Sequence, residues 1–299
     1  MVGLCASTIR GRSAGRVCGM ARKPQYMTTV QLRIRTSGHC FASGHHVIQG
    51  SPRKPVRFEA TWAEMVHPTE GVVLFDCGYT RRFHEATRSF PQSIYASLTK
   101  VTIREEEEAR RQVDPDTVRH VLISHLHGDH VGGLRDFPKA TCWTSSACLE
   151  LFDALPQWRS WARGVLKEMF PDDWRETCQT FESTSPVHHP ELGRGHDVFG
   201  DGSVLVFPLP GHAKGQHGAL VQTEDGPVFL AADAFWDIRA VTERKEPNPI
   251  VRVFFDDMKA YAETLERLRT FHTNHPTIPL LGTHCPVAAQ RIVPFDSQP

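Results

Sequence analysis

The chain has 299 residues, 40% of them hydrophobic, and its 34 Lys and Arg balance its 34 Asp and Glu. Because the charges balance, no overall electrostatic field would attract nucleic acid or an anionic membrane, and we expect neither as a partner. The length and the lack of internal repeats predict a single domain that acts on a small molecule, as a monomer or a homodimer.

The N-terminal region differs from the rest in charge, since residues 1–58 carry ten Lys or Arg and no acid. Residues 1–27 are rich in Arg, Ser, Gly and Ala, as in organellar transit segments, but their glycines disfavour a helix. We interpret them as a disordered or transit-like leader, or as an extension ahead of a start at Met20 or Met27. The folded domain is predicted over residues 28–299.

The eight cysteines include no C-x-x-C pair, and a chain of this length needs no disulfides for stability. We expect reduced thiols and a cytoplasmic protein, with an organelle as the alternative if the leader is a targeting segment. The sequence contains no apolar run of 18 residues, the length that would predict a membrane span.

Short β-prone runs recur along the chain, and most are continuously apolar, as in strands that are covered on both faces. They lie at residues 72–75, 120–124, 141–143, 203–207, 218–223, 228–232 and 278–282. Helical patterns alternate with them, and the clearest begins at Asp256, with an aspartate available as N-cap. Because no glycine-rich phosphate loop is present, the alternation favours layered sheets with outer helices over a nucleotide-binding sheet.

A charged segment at residues 103–113, IREEEEARRQV, has the pattern of a solvated helical face. It would pair Glu106 with Arg110 and Glu107 with Arg111, four residues apart on one side of a helix. We assign no chemistry to this segment.

The loop after the second predicted strand, SHLHGDHVGG, places three imidazoles and a carboxylate within six residues. Alternate residues of extended chain point the same way, so His125 and His127 project to one side. Gly128 permits a sharp turn that directs Asp129 and His130 toward a neighbouring position. The loop therefore predicts ligands for two metal ions, and Zn²⁺ suits imidazole and carboxylate ligands best, although Fe, Mn and Co also accept them.

Further ligands are expected at the ends of later strands. His212 follows the strand at 203–207, Asp233 ends the strand at 228–232, and His284 follows the strand at 278–282. Functional groups in mixed and parallel sheets commonly occupy such positions. His217, near the His212 loop, is a candidate for orienting a ligand through its other ring nitrogen. We interpret six further histidines as surface or packing residues: His45, His46, His188, His189, His272 and His275.

The ordered motifs FDCG, SHLHGDHVGG, PGH, AAD and GTH resemble the metallo-β-lactamase superfamily over roughly residues 29–290. The resemblance implies an α+β fold, a single-domain four-layer αββα sandwich, and a site with two divalent metal ions. It places His125, His127 and His212 on one ion, Asp129, His130 and His284 on the other, and Asp233 between them.

Within the superfamily the pattern is most similar to the N-acyl homoserine lactonases, which implies hydrolysis of a small-molecule ester or lactone. Asp129 or a metal-bound water would carry the proton. Trp236 stands where those lactonases commonly have a tyrosine. Its indole N–H donates a hydrogen bond but is no phenolic acid, so we assign it to the substrate pocket. The aromatic segment 145–182 is interpreted as core packing, with a pocket wall or lid as the alternative. A glyoxalase II-like thioesterase and a non-catalytic metal-binding regulator remain alternative functions.

Overall fold

The computed structural model of the protein describes residues 28–293, so the predicted leader at 1–27 lies outside the described residues. The strands are β1 Gln31–Ser43, β2 Pro55–His67, β3 Gly71–Phe75, β4 Val118–Leu122, β5 Thr141–Thr144, β6 Gln179–Thr180, β7 Ser185–His189, β8 Gly193–Asp197, β9 Val204–Pro208, β10 His217–Thr223, β11 Gly226–Ala232 and β12 Leu280–Gly282. The α-helices are α1 Gly44–Val47, α2 Arg82–Ala86, α3 Ser93–Leu98, α4 Ala109–Gln112, α5 Gly128–Val131, α6 Ser146–Ala154, α7 Gln157–Ser160, α8 Trp174–Thr177, α9 Arg239–Thr242, α10 Met258–Asn274 and α11 Pro286–Ala289.

The strands form two mixed six-stranded sheets. The first has the order β1-β2-β3-β4-β5-β6, and the second has the order β12-β11-β10-β9-β8-β7. In the first sheet β3, β4, β5 and β6 are parallel, while β1 and β2 are antiparallel to their neighbours. In the second sheet only β11 and β12 pair in parallel. The C-terminal ends of β3 and β4 therefore share one sheet edge, as do those of β11 and β12.

The strands are buried on both faces because each sheet packs on the other sheet and on helices. Val206 and Val221 lie in the apolar layer between the sheets. Phe207 and Phe229, one residue out of phase with that layer, face the other way and pack with Leu268 and the rest of the apolar face of α10. A second outer layer covers the first sheet. The four-layer αββα sandwich predicted from the sequence is confirmed.

All seven strands predicted from continuous apolar runs are present, and the helix predicted from Asp256 is α10. Asp257 caps this helix, because its Oδ1 accepts hydrogen bonds from the backbone N–H groups of Lys259 and Ala260. Among the helices that the structure describes, none combines the length and the apolar character needed to cross a bilayer. The six cysteines within the described residues are free thiols.

The prediction of a solvated helix over residues 103–113 is wrong. The segment splits at Glu108, whose backbone is extended (φ −61°, ψ 140°), into a 3₁₀ turn at Glu105–Glu107 and the short α4. Glu108 is buried and accepts a hydrogen bond from the backbone N–H of Arg81, so tertiary contact overrides the helical pattern. Arg111 consequently pairs with Glu105.

The aromatic segment 145–182 packs as predicted. The rings of Phe152, Phe170 and Trp174 contact one another with centroids 4.6–5.0 Å apart, and the last two are fully buried. Aromatic clusters of this size contribute strongly to a core through buried area and edge-on contacts. Trp158 is the exception, since it is exposed to solvent.

Candidate metal centre

The residues that the sequence singled out come together at the edge where β3, β4, β9, β11 and β12 end. His125 to His130 follow β4, and Asp129 and His130 lie in the single turn of α5. The remaining candidates, His212, Asp233 and His284, lie in the loops after β9, β11 and β12. They form two adjacent groups, which are His125, His127 and His212, and Asp129, His130, Asp233 and His284.

The first group consists of three imidazoles whose nitrogens converge. The Nδ1 of His127 lies 3.0 Å from the Nε2 of His125 and 3.1 Å from the Nε2 of His212. Burial lowers the pKa of all three rings, that of His212 to about 3, so they are neutral near pH 7. Three neutral imidazoles that share one focus suit a metal cation, which accepts a lone pair from each.

The second group combines two carboxylates with two imidazoles. The Nε2 of His284 lies 3.1 Å from Asp129 Oδ2 and 3.3 Å from Asp233 Oδ2, and the Nε2 of His130 lies 3.5 Å from a carboxylate oxygen of each aspartate. Asp233 Oδ2 is also 3.3 Å from the Nε2 of His212 in the first group. Asp233 therefore contacts a histidine of each group.

Burial alone would lower the pKa of His284, but the charge of Asp233 and the hydrogen bond to Asp129 raise it to about 10. Burial would raise the pKa of Asp129 and Asp233, yet both pKa values are held well below their ordinary range, mainly by the charge of His130 for Asp129 and by the charge of His284 for Asp233. The second group thus stabilises positive charge at its centre.

Two buried atoms test whether a metal ion fits this group. The Nε2 of His130 and the Oδ1 of Asp233 are buried and lack a hydrogen-bond partner within residues 28–293. Unpartnered buried polar atoms are costly, and coordination to a shared cation would satisfy both. The donor set of imidazoles and carboxylates fits Zn²⁺.

Hydrogen bonds behind the clusters orient the imidazoles. Asp76, at the end of β3, is buried and accepts from the Nδ1 of His130 at 2.8 Å and from the backbone N–H and hydroxyl of Ser124. The carbonyl of Glu59 accepts from the Nδ1 of His284 at 2.8 Å. Each bond leaves the Nε2 of its ring directed into the site, which fixes the tautomer that a metal needs.

The aromatic segment 145–182 also reaches the site. The backbone of Arg163 lies beside the ring of His127 and raises the pKa of that ring against the larger effect of burial. Gly164 lies directly against the same ring. Sequence reasoning missed both contacts, because a backbone carbonyl and a glycine contact have no sequence signature.

An aromatic wall borders the two groups. The ring of Phe58 stacks on His284 at 4.9 Å, and Phe255 packs edge-on against His212 at 5.3 Å. Trp236 contacts Phe58 and Phe255, and its Nε1 donates to Asp233 Oδ2 at 3.3 Å. Trp236 therefore lies in this aromatic wall beside Asp233.

The expectation for His217 is wrong. Its ring packs against Phe181 at 5.2 Å, and its Nδ1 hydrogen-bonds the carbonyl of Gly215 rather than orienting a ligand. Its contribution to the site comes through the backbone, since its N–H donates to the carbonyl of Ser124 and so links the loop after β4 to β10.

Three further side chains near the carboxylates escaped sequence reasoning. Burial raises the pKa of Tyr79 and Tyr95 well above the ordinary value, and the negative charge of Asp129 raises both further. The same two causes raise the pKa of Cys40 to about 12. In the part of the chain that the structure describes, neither tyrosine hydroxyl has a hydrogen-bond partner, so both are available to donate.

Comparison with known proteins identifies the family. The profile of the metallo-beta-lactamase superfamily matches residues 57–274, which include every residue of the two groups except His284. The chain belongs to the metallo-beta-lactamase superfamily. It is accordingly a metal-dependent hydrolase.

Among members of the metallo-beta-lactamase superfamily, a protein of Mycobacterium tuberculosis named as a probable metallo-hydrolase is 26% identical over 242 residues, which is 74% of this chain and 73% of the relative. The N-acyl homoserine lactonase AttM of Rhizobium radiobacter is 28% identical over 170 residues, 56% of this chain and 59% of the relative. The solved structure of an N-acyl homoserine lactone hydrolase with a bound product superimposes with a TM-score of 0.68 at 16% identity, covering 91% of this chain and 99% of the other. The last comparison supports the shared fold.

Proposed function

We propose that the protein is a dinuclear metallohydrolase that opens the ring of a small lactone, with an N-acyl homoserine lactone as the substrate. The observation that carries the proposal is the pair of adjacent ligand groups with Asp233 in contact with both. The likeness to the lactonase AttM supports the choice of substrate. The hydrolase domain would extend over residues 28–299.

Two divalent ions, with Zn²⁺ as the best match to the ligands, would be held in the candidate metal centre. His125, His127 and His212 would bind one ion, Asp129, His130 and His284 the other, and Asp233 both. When bound, such ions lower the pKa of a water toward neutrality and polarise a carbonyl group. The protein therefore needs no separate side-chain base to form the nucleophile.

The side chains of the centre would handle the protons. In lactone hydrolysis the oxygen of water bonds to the carbonyl carbon, the ring C–O bond breaks, and a proton must reach the leaving alkoxide. Asp129 is ionised at neutral pH, because its pKa is held well below the ordinary range, and it lies among the candidate ligands. We assign it the transfer of that proton from the attacking water to the ring oxygen.

Hydrogen bonding to the substrate would come from a different set of residues than in tyrosine-bearing lactonases. The indole N–H of Trp236 is directed at Asp233, so it positions this carboxylate and shapes the pocket. The hydroxyls of Tyr79 and Tyr95 have no partner in the described chain and are suited to donate to a substrate carbonyl or amide. Both remain protonated at neutral pH because burial raises the pKa of each.

The apolar surface beside the centre favours a substrate with an acyl chain. Phe255 borders His212, and the 3₁₀ helix that precedes it exposes Ile250, Val253 and Phe254. An acyl chain that leaves the site over Phe255 would cover this surface. We therefore expect long-chain substrates to bind better than short-chain ones.

A hydrolysis panel tests the proposed function. It would contain homoserine lactones with short and long acyl chains, aryl esters, S-lactoylglutathione, a cephalosporin and a bis-aryl phosphodiester. We expect turnover of lactones, at least a hundredfold loss in Asp129→Asn, and full activity in His188→Ala, which changes an exposed histidine outside the centre.

Two outcomes would favour the alternative functions. Preferential hydrolysis of S-lactoylglutathione would indicate the thioesterase. Metal binding without turnover of any substrate would indicate a regulatory protein. Elemental analysis checks the metal count separately, and one ion per chain at saturation of the candidate metal centre would contradict a dinuclear mechanism.

A further inference from the structure

A second group of metal-ligating side chains lies outside the candidate metal centre. His189 ends β7, Glu191 lies in the turn between β7 and β8, and His275 follows α10. Each offers one ligand atom, and the three atoms lie within 4.8 Å of one another. Because β7 is the strand of the second sheet farthest from β12, this group, which we call the edge cluster, occupies the opposite side of that sheet from His284.

The distances in the edge cluster suit a tetrahedral metal ion. Glu191 Oε2 lies 3.0 Å from the Nδ1 of His189 and 3.6 Å from the Nε2 of His275. Ligands about 2.05 Å from a zinc ion at tetrahedral angles are separated from one another by about 3.3 Å. The two measured separations lie on either side of that value.

The carboxylate of Glu191 has one oxygen that no hydrogen bond within the described chain satisfies. Its Oε2 is buried and accepts no hydrogen bond from any residue between 28 and 293, although two imidazoles stand beside it. The Nδ1 of His189 has one lone pair, which accepts a long hydrogen bond of 3.4 Å from the backbone N–H of Glu191. A cation between Nδ1 and Oε2 would take this lone pair in place of that long bond and would also satisfy the carboxylate oxygen.

The ligand atoms are held in place by contacts behind them. The side-chain amide of Asn274 donates to the other carboxylate oxygen of Glu191 at 2.8 Å, which turns Oε2 toward the histidines. The rings of His189 and His275 both pack against Phe271, with centroids 5.3 and 4.9 Å apart. The C-terminal end of α10, whose helix dipole favours a cation, borders the cluster.

We propose that His189, Glu191 and His275 bind one zinc ion, with water in the fourth position, at a site separate from the candidate metal centre. The ion would join the turn between β7 and β8 to the end of α10. Because the hydrolytic residues lie elsewhere, the site would affect stability and leave hydrolysis unchanged. The sequence carries no signal of this site, since only the fold brings His189 and His275 together.

Zinc stoichiometry tests the proposal on the full chain. Metal-free protein would be titrated with Zn²⁺, passed over a desalting column and analysed for zinc, in the wild type and in the variants Glu191→Gln, His275→Ala and His188→Ala. The glutamine keeps an oxygen for Asn274 but replaces the carboxylate. We expect Glu191→Gln and His275→Ala each to hold one zinc ion fewer than the wild type, while His188→Ala, on the exposed side of the same strand, holds the full number.

Two further measurements separate a metal site from a plain hydrogen-bonded cluster. Added Zn²⁺ should raise the melting temperature of Glu191→Gln less than that of the wild type, and both should have the same kcat for whatever substrate the protein hydrolyses. Anomalous diffraction at the zinc edge should show a peak among the three ligand atoms. Equal zinc content in all four proteins, or no anomalous peak there, overturns the proposal.

Discussion

The substitution Gly164→Ala tests whether the aromatic segment 145–182 positions His127. Gly164 follows the 3₁₀ turn Trp161–Arg163 with φ +71°. A Cβ atom built on this glycine would lie 2.4 Å from Cδ2 and 2.7 Å from Nε2 of the His127 ring. Because carbon atoms pack no closer than about 3.4 Å, the ring or the turn must move by about 1 Å.

That displacement exceeds what a metal site tolerates, since ligand distances must agree with the ideal to about 0.2 Å. We therefore expect Gly164→Ala to weaken binding of the ion at His125, His127 and His212 by at least about tenfold, equivalent to about 1.4 kcal/mol. The substitution also carries the cost of a side chain in the left-handed region, about 1–2 kcal/mol.

Gly200→Ala separates the two effects. Gly200 has φ +76°, and its added Cβ would meet no atom within 4 Å, so this control carries the backbone strain without the contact. Zinc affinity would be measured by competition with a chromophoric chelator, and stability by urea unfolding of the metal-free proteins. Equal zinc affinity in the two variants would refute the inferred coupling between the segment and His127.

Three other substitutions test the centre and its surroundings. Asn suits the left-handed backbone at position 76 (φ +61°), but in Asp76→Asn an N–H₂ group would face the Nδ1–H of His130. We therefore expect calorimetry to show about 10–100-fold weaker binding of the metal ion at Asp129, His130 and His284. Trp236→Phe keeps an aromatic wall but removes the hydrogen bond to Asp233, and steady-state kinetics should show kcat/KM lowered about tenfold. Burial lowers the pKa of His217 to about 4 in the folded protein. As the pH falls below 6.5, His217 is therefore protonated in the unfolded chain before it is protonated in the folded one, which favours unfolding. The metal-free protein should lose about 2 kcal/mol of stability from this group between pH 7 and pH 5, and His217→Asn should lose that much less in urea unfolding, because asparagine does not titrate. An unchanged pH dependence would contradict the last expectation.

The features that could be predicted from the sequence are those where the local residue pattern matches the burial of the segment in the fold. Strands such as β4 and β11 are apolar throughout because both faces are covered, and the candidate ligands follow them directly. The prediction at residues 103–113 is wrong because there the local pattern and the tertiary contacts favour different structures. There the spacing of charges favours a helix, but burial of Glu108 against Arg81 selects an extended residue instead.

The residues around the candidate ligands were harder to predict from the sequence. Most of these residues act through backbone atoms or lie far from the ligands along the chain. The carbonyl of Glu59 would be present whatever side chain stood there. Tyr79 and Tyr95 carry no motif that separates them from core tyrosines. Their relevance follows from the position of Asp129, which only the folded chain defines.

The segment 145–182 shows why packing and function could not be separated from the sequence, where core packing and a pocket wall are alternatives. The structure shows core packing that extends to the centre, because the cluster of Phe152, Phe170 and Trp174 anchors a segment whose Arg163 and Gly164 lie beside His127. A loss of packing in that cluster would therefore reach the candidate metal centre through the backbone. On this reasoning a substitution such as Phe170→Ala, far from any substrate, should weaken metal binding as well as folding.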